Sequence, residues 1–521
     1  MGARAHLEAG RVKGESTHGS PTRGATTRTE TLIIGAGFGG LGTAIQLKRA
    51  GLDDFVILER ADDVGGTWRD NQYPGAACDV PSNLYSFSFA PNPDWSRTYS
   101  GSAEILAYVK RLVADHGLMP KVRLKQRVTS MRFRESEGEW EVRTDAGDTF
   151  FARSVVAAAG ALVDPGYPAI EGLERFAGHR IHSARWDHGY DFAGKRVAVI
   201  GTGASAVQII PELVKRAEHV KVFQRTPGWV LPRANYRVPE RVKALFRRRP
   251  SAQQAVRDAL FWGHESMALS IIWTSPLTHV TERVARQHLQ RQVKDPWLRR
   301  QLTPNYRIGC KRVLLSNDYY PALQRPNCKL VTWPIVSLSE RGVRTAEGIE
   351  HQVDCVVFAT GFEVRHTSTA FPVMGLDGRV LGDEWRAGAQ AYKSMNVSGY
   401  PNLHFILGPN SGPGHNSALV YMESQIAYAV QGVRALRDGG LRWLDVRPEV
   451  QRRYNEHLQE RLAKTNWNSG CKSWYLTEDG FNATMYPGFA TQYANELRTL
   501  HLADYRTVPF ERAAARTQPR V

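Results

Sequence analysis

Apolar residues in this chain come in short unbroken runs punctuated by glycine, the pattern of strands buried on both faces of a parallel sheet. TLII from Thr31 and FVILE from Phe55 read as strands, and the stretch between them, FGGLGTAIQLKRAG, carries helical spacing. The order repeats from Lys195: KRVAVI, then ASAVQIIPEL with helical spacing, then HVKVFQRT. A further apolar run, DCVVFATGF from Asp354, is expected to complete the first unit's sheet, which would make the second unit an insertion within the first. Strand, helix and strand in repeated alternation predict an α/β fold with two Rossmann-like dinucleotide-binding domains.

The turns inside these units carry the chemistry. Gly35, Gly37 and Gly40 stand in GxGxxG spacing between strand and helix, where glycine permits a tight turn and close approach of the backbone to a pyrophosphate. The helix start then offers N–H donors to the anion. Glu59, at the end of the second strand and 24 residues beyond Gly35, is placed to accept hydrogen bonds from ribose hydroxyls. In the second unit Gly201 and Gly203 keep their places and Ala206 takes the third, while Arg225 lies the same 24 residues beyond Gly201. An acid there suits a free 2′-hydroxyl and an arginine suits a 2′-phosphate. The first site therefore reads as FAD or NAD, and the second as NADP.

Length and composition narrow the setting. A chain of 521 residues exceeds one ordinary core. The longest apolar run, SVVAAAGALV from Ser154, has ten residues against the roughly 18 that a membrane span requires. Residues 1–29 lack a signal peptide's apolar region and read as a disordered tail. His6 stands where myristoylation asks for Ser or Thr. The five cysteines, Cys78, Cys310, Cys328, Cys355 and Cys471, show no CxxC spacing, so neither a disulfide framework nor a metal site is expected and the cytoplasm is the default compartment. Between Arg233 and Arg300 there are 14 Lys and Arg against 5 Asp and Glu, about half of the net +17. These charges alternate with helical apolar positions such as Val242, Leu245 and Phe246, so a solvated helix face is expected, with at most weak peripheral membrane contact and no nucleic acid.

Flavin with NADP covers disulfide reductases, N-hydroxylases, flavin-containing monooxygenases and Baeyer-Villiger monooxygenases. The first need a redox-active cysteine pair such as CxxxxC, which is absent. The stretch FAGHRIHSARWD resembles the FxGxxxHxxxW fingerprint of Baeyer-Villiger monooxygenases, matched at Phe176, Gly178, His182, Trp186 and Asp187. Sister-family flavin monooxygenases carry Tyr or Phe at the position of Trp186. GGTWRDNQYPGAACD, from Gly65, looks like the family's GGxWxxxxYPGxxxD segment, and IGCKRVLLSNDYYPAL, from Ile308, looks like the one bearing its active-site arginine. Val313 replaces the proline common after that arginine. PNLHFILGPNSGPGHNS, from Pro401, resembles the returning flavin strand, and KSWYL, from Lys472, resembles a mobile loop whose Trp474 covers the nicotinamide.

This resemblance, spanning about residues 30 to 490, implies an NADPH- and O₂-dependent enzyme that inserts oxygen beside a ketone carbonyl through a flavin C4a-peroxide, giving an ester or lactone. Oxygenation of a sulfide or another heteroatom is the alternative. Arg312 and Asp79 are the expected catalytic residues. FAD contacts are expected at Gly35, Gly37, Gly40, Glu59, Thr67, Trp68, Asp79, Tyr85 and Val128. NADP contacts are expected at Gly201, Thr202, Gly203, Ala204, Ser205, Gln208, Arg225, Thr226, Lys311, Arg312 and Trp474. The fingerprint is expected to form a linker that orders the junction between the domains. The expected division is an FAD domain over 30–160 and 351–500, an NADP domain over 161–350 with a helical insertion at about 230–305, and a C-terminal tail over 501–521. That insertion reads equally as part of the substrate entrance or as a cover for the NADP domain. The protein is expected to act as a monomer or dimer on a small-molecule substrate.

Overall fold

The computed structural model describes residues 24–364, 369–471 and 473–510. The first unit begins with β1 (Thr26–Ile34), α1 (Phe38–Arg49) and β2 (Phe55–Leu58), followed by the short α2 (Thr67–Asp70), α3 (Ser102–Asp115) and β3 (Val122–Arg123). The strands β4 (Val128–Arg134), β5 (Glu139–Thr144) and β6 (Thr149–Ala157) form an antiparallel ribbon that returns to β1. β1 lies parallel to both β2 and β6, which places the ends of all three strands at the glycine turn. All four residues of β2 are buried because both faces of the sheet are covered: Phe55 and Ile57 join the core that holds Leu41 and Ile45 of α1, and Val56 and Leu58 join the one that holds Val128 and Trp140.

The second unit runs through β7 (His179–His182), β8 (Arg196–Ile200), α4 (Ala206–Leu213) and β9 (His219–Phe223). Its five-stranded sheet is parallel throughout, in the order Cys328–Val331, β9, β8, Cys355–Phe358, β7.

Four expectations change here. The run Cys355–Phe358 joins the second sheet between β8 and β7, and the returning strand of the first sheet is Leu403–Phe405, paired with Val155–Ala157. An apolar tetrapeptide suits the centre of either sheet, so its composition could not choose between them. The fingerprint is not a bare linker, because His179–His182 is the edge strand β7. Strand β1 begins at Thr26, inside the expected N-terminal tail, of which residues 1–23 lie outside the described residues. Tyr505–Pro509, inside the expected C-terminal tail, pairs with Leu441–Val446.

The basic insertion folds into helices Glu240–Arg248, Pro250–Ile271, Pro276–Gln292 and Pro296–Gln301. It bridges the two units. On the first side, Arg257 donates to the carbonyls of Asn83 (2.9 Å) and Ser86 (2.7 Å). There too the Glu265 carboxylate accepts from His415, Asn416, Ala490 and Thr491. On the second side, Leu289 and Val293 pack into the core with Val222 and Tyr320. No helix among the described residues is long and apolar enough to cross a membrane.

Candidate active site between two nucleotide turns

In the first turn Gly35 has φ +105°, and an added Cβ would stand 2.5 Å from the carbonyl oxygen of Ala158. A Cβ on Gly40 would stand 1.8 Å from the oxygen of Gly35, the close strand–helix crossing that the third glycine permits. Gly37 is different, because its nearest neighbour is the Cα of Gly66 at 3.6 Å. Glu59 is 4 % exposed; its carboxylate accepts from the N–H of Ala36 (2.9 Å) and Ala61 (3.0 Å) and pairs with Arg69 at 3.1 Å. Thr67 opens α2, whose buried Trp68 donates from Nε1 to the Tyr85 hydroxyl at 3.1 Å. Val128 is the buried first residue of β4.

In the second turn Gly201 has φ +116°, and its Cβ would stand 2.4 Å from the oxygen of Ala359. A Cβ on Gly203 would meet nothing within 4 Å, and both Gly203 and Ala204 are exposed. Ser205 precedes α4, and the Thr202 hydroxyl donates to the carbonyl of Thr226 at 3.1 Å. Arg225 is exposed and makes no ion pair among the described residues. Lys311 lies over the Tyr306 ring at 5.0 Å; burial, and then the charge of Arg225, hold its pKa below the usual lysine value. Two neighbouring cations with no carboxylate partner among the described residues suit an anion.

The YPG segment joins the two turns. Gly75 has φ +80° and an added Cβ would stand 2.6 Å from the carbonyl of Gln208 in α4. Gln208 uses its amide on the first unit, accepting from the Tyr73 hydroxyl (3.0 Å) and the Ala77 N–H (3.2 Å) and donating to the Ala77 carbonyl (3.0 Å). Two residues on, Asp79 accepts two hydrogen bonds from Arg312, from Nε and Nη2, each 2.8 Å. Burial alone would raise the Asp79 carboxyl, but the charge and hydrogen bonds of Arg312 outweigh it and hold the group below the usual carboxylate range. In return, Asp79 raises the pKa of Arg312. The arginine keeps 45 % of its side chain exposed, so the guanidinium is oriented on one edge by Asp79 and accessible on the other.

The fingerprint residues lie away from this pair. Phe176 is buried beneath the second sheet, and a Cβ on Gly178 would stand 2.4 Å from its ring. His182 ends β7 and accepts at Nδ1 from the Ala184 N–H; burial lowers its pKa. Trp186 stacks on Phe192 at 5.6 Å, and Asp187 sits 2.9 Å from His179 Nε2. Trp474 is 43 % exposed, with its ring 4.6 Å from that of Tyr475.

Three features had no local signal. Arg233 donates to the Cys78 carbonyl at 2.7 Å and lies over Tyr99, bringing a second guanidinium to the Asp79 segment; it was one of 68 basic residues. Tyr475 is buried, and burial followed by the opposing influence of Arg312 leaves its phenol pushed up to about 12. Cys310 and Cys471 form a disulfide, contrary to the expectation from their spacing, because 161 residues of chain separate partners that only folding brings together.

Two nucleotide turns joined through the YPG segment, with a bidentate arginine–carboxylate pair beside that segment, define an enzyme that binds two dinucleotides. A family model described as pyridine nucleotide-disulphide oxidoreductase matches residues 32–260. A Baeyer-Villiger monooxygenase of Streptomyces coelicolor is 45 % identical over 91 % of this chain and 92 % of its own length. One from Pseudomonas aeruginosa is 41 % identical, covering 96 % and 95 %. Among solved structures, an oxidised steroid monooxygenase bound to NADP superposes with a TM-score of 0.83 at 30 % identity, covering 92 % of this chain and all of the other. The chain belongs to the Baeyer-Villiger monooxygenases, and its cofactors are FAD and NADPH. The residues present fit both: the first turn has no side chain at Gly35, Gly37 or Gly40 and carries Glu59 at the end of its second strand, while the second leaves open space over Gly203 and its Arg225–Lys311 pair suits a 2′-phosphate.

Proposed function

We propose that this enzyme converts a ketone to an ester or lactone, with Arg312 as the catalytic residue. The overall change is balanced as ketone, O₂, NADPH and H⁺ giving ester, NADP⁺ and water. FAD, when bound along the first turn, supplies the two-electron reduction of O₂ by NADPH. Arg312 presents a permanent positive charge to the oxygen on which negative charge develops as the carbonyl is attacked. Asp79 fixes the guanidinium plane through both of its oxygens, and its depressed pKa keeps it ionised at neutral pH. Arg225 and Lys311 hold the NADP 2′-phosphate, while Glu59 accepts from the FAD ribose. Trp474, on the exposed edge of the cleft, covers the nicotinamide.

The observation that carries this reading is the bidentate Arg312–Asp79 pair, half open to the cleft at the junction of the two units. Heteroatom oxygenation is not favoured, since the matched relatives are named for Baeyer-Villiger chemistry. Replacing Arg312 with Ala should lower ester formation by roughly 10²- to 10³-fold, the usual effect of losing one transition-state donor, while NADPH oxidation persists. Product mass and NADPH absorbance, followed together on a ketone panel, read the two steps separately. Ester formation near the parental rate would remove Arg312 from the mechanism.

A further inference from the structure

Cys310 lies two residues before Arg312 and Cys471 three residues before Trp474, so their disulfide joins the two segments that flank the cleft. The two halves are held differently. Around Cys310 the chain is rigid: the Ile308 N–H donates to Glu282 at 3.1 Å, a Cβ on Gly309 would stand 2.2 Å from the carbonyl of Ile271, and Cys310 itself is fully buried. Around Cys471 it is open. Trp467 and Tyr475 are buried anchors, and between them Asn468, Ser469, Gly470 and Trp474 are exposed. Cys471, partly exposed, is covalently fixed to the arginine segment. Trp474 thus stands between the covalent tie at Cys471, three residues before it, and the buried Tyr475 directly after it.

We propose that the Cys310–Cys471 disulfide is a positioning element for the oxygenation, holding the Trp474–Tyr475 turn over the Arg312 cleft, and that its reduction by a dithiol loosens this turn. The exchange begins at Cys471, which is partly exposed where Cys310 is fully buried. A thiolate of the dithiol bonds to Cys471 Sγ, the Cys310–Cys471 bond breaks, and Cys310 leaves as thiolate and takes up a proton. The second thiol of the reductant then attacks the mixed disulfide, releasing Cys471 as a thiol and a cyclic disulfide; two electrons and two protons have moved to the protein. With the tether broken, the turn samples open positions, water reaches the cleft, and NADPH is consumed without ester being formed.

The inference rests on the proposed function for its ester readout, so the test includes two readouts that do not. FAD- and NADP-loaded enzyme is divided, and one half is treated with dithiothreitol. Alkylation under denaturing conditions followed by peptide mass analysis reports whether Cys310 and Cys471 were joined. Steady-state kinetics give KM for NADPH and the ester formed per NADPH consumed. In the untreated enzyme both cysteines should resist alkylation, and reduction should lower ester per NADPH and raise KM for NADPH, each by about threefold or more. Cys471→Ser should behave as the reduced enzyme and ignore dithiothreitol. Free thiols at Cys310 and Cys471 in the untreated enzyme overturn the proposal, as does full reduction with KM and coupling unchanged, or a Cys471→Ser enzyme that still responds to the reductant. If no ketone yields ester in either state, the functional reading fails, while the change in KM still decides the role of the disulfide.

Discussion

At the first turn the residue 24 positions beyond the leading glycine is Glu59, 4 % exposed and bonded to the turn it serves; at the second it is Arg225, exposed and without an ion pair among the described residues. The surroundings differ in the same sense. The first turn is packed under Gly65 and Gly66 and the aromatic pair Trp68–Tyr85, whereas a side chain added at Gly203 in the second would reach open space. The acid of the first turn is thus satisfied inside the protein, whereas the second turn leaves Arg225 to solvent, open to a charge-assisted hydrogen bond with an anion. One sequence pattern thus sits in two different surroundings, and the difference lies in what packs around the pattern.

The largest test of this contrast is Gly40→Ala. With the new methyl 1.8 Å from a backbone oxygen, the strand and helix must move apart, which should cost upwards of about 3 kcal/mol and release FAD. The flavin-to-protein absorbance ratio and the melting temperature report it; a Gly40→Ala enzyme with full flavin content would show that the crossing can open without cost. Arg225→Ala should spare flavin content and raise KM for NADPH by about 10- to 100-fold, the effect of losing a charge-assisted hydrogen bond, while leaving KM for NADH nearly unchanged. Equal effects on both nucleotides would detach Arg225 from the 2′-phosphate.

Smaller still is the effect of pH. Because the Lys311 pKa is held below the ordinary lysine value, its charge disappears at lower pH than that of a free lysine. The kcat/KM for NADPH should therefore fall as pH rises through the alkaline range, and the fall should move to higher pH in Arg225→Ala, where the neighbouring positive charge is gone. A limb at the same pH in both enzymes would mean that another group titrates. The mildest substitution is Gly203→Ala, whose methyl meets no protein atom; stability should stay within about 0.5 kcal/mol while NADPH binding weakens. A large drop in melting temperature would contradict the open cradle.

Much of the fold was legible because its signals are local. A strand, a glycine-spaced turn, a helix and an end-of-strand acid or base occupy about 30 residues, and the hydrogen bonding of such a unit is decided largely within it. The candidate site was half legible. Asp79 and Arg312 could each be named from the motif around it, but their pairing spans 233 residues, and nothing in either motif states a distance. Arg233 and Tyr475 carried no signal, since a lone arginine or tyrosine takes its meaning from its neighbours in space.

The sequence by itself determined two nucleotide turns, the opposite charges of the residues that end their second strands, and the family, because these rest on backbone freedom at glycine, on the sign of one charge and on fixed short spacings. Tertiary structure decided which sheet receives Cys355–Phe358, that the fingerprint contributes an edge strand, that the basic helices bridge the units, and that Cys310 meets Cys471. Each of these depends on contacts between distant segments, and a short apolar run or a single cysteine is compatible with several partners until packing selects one.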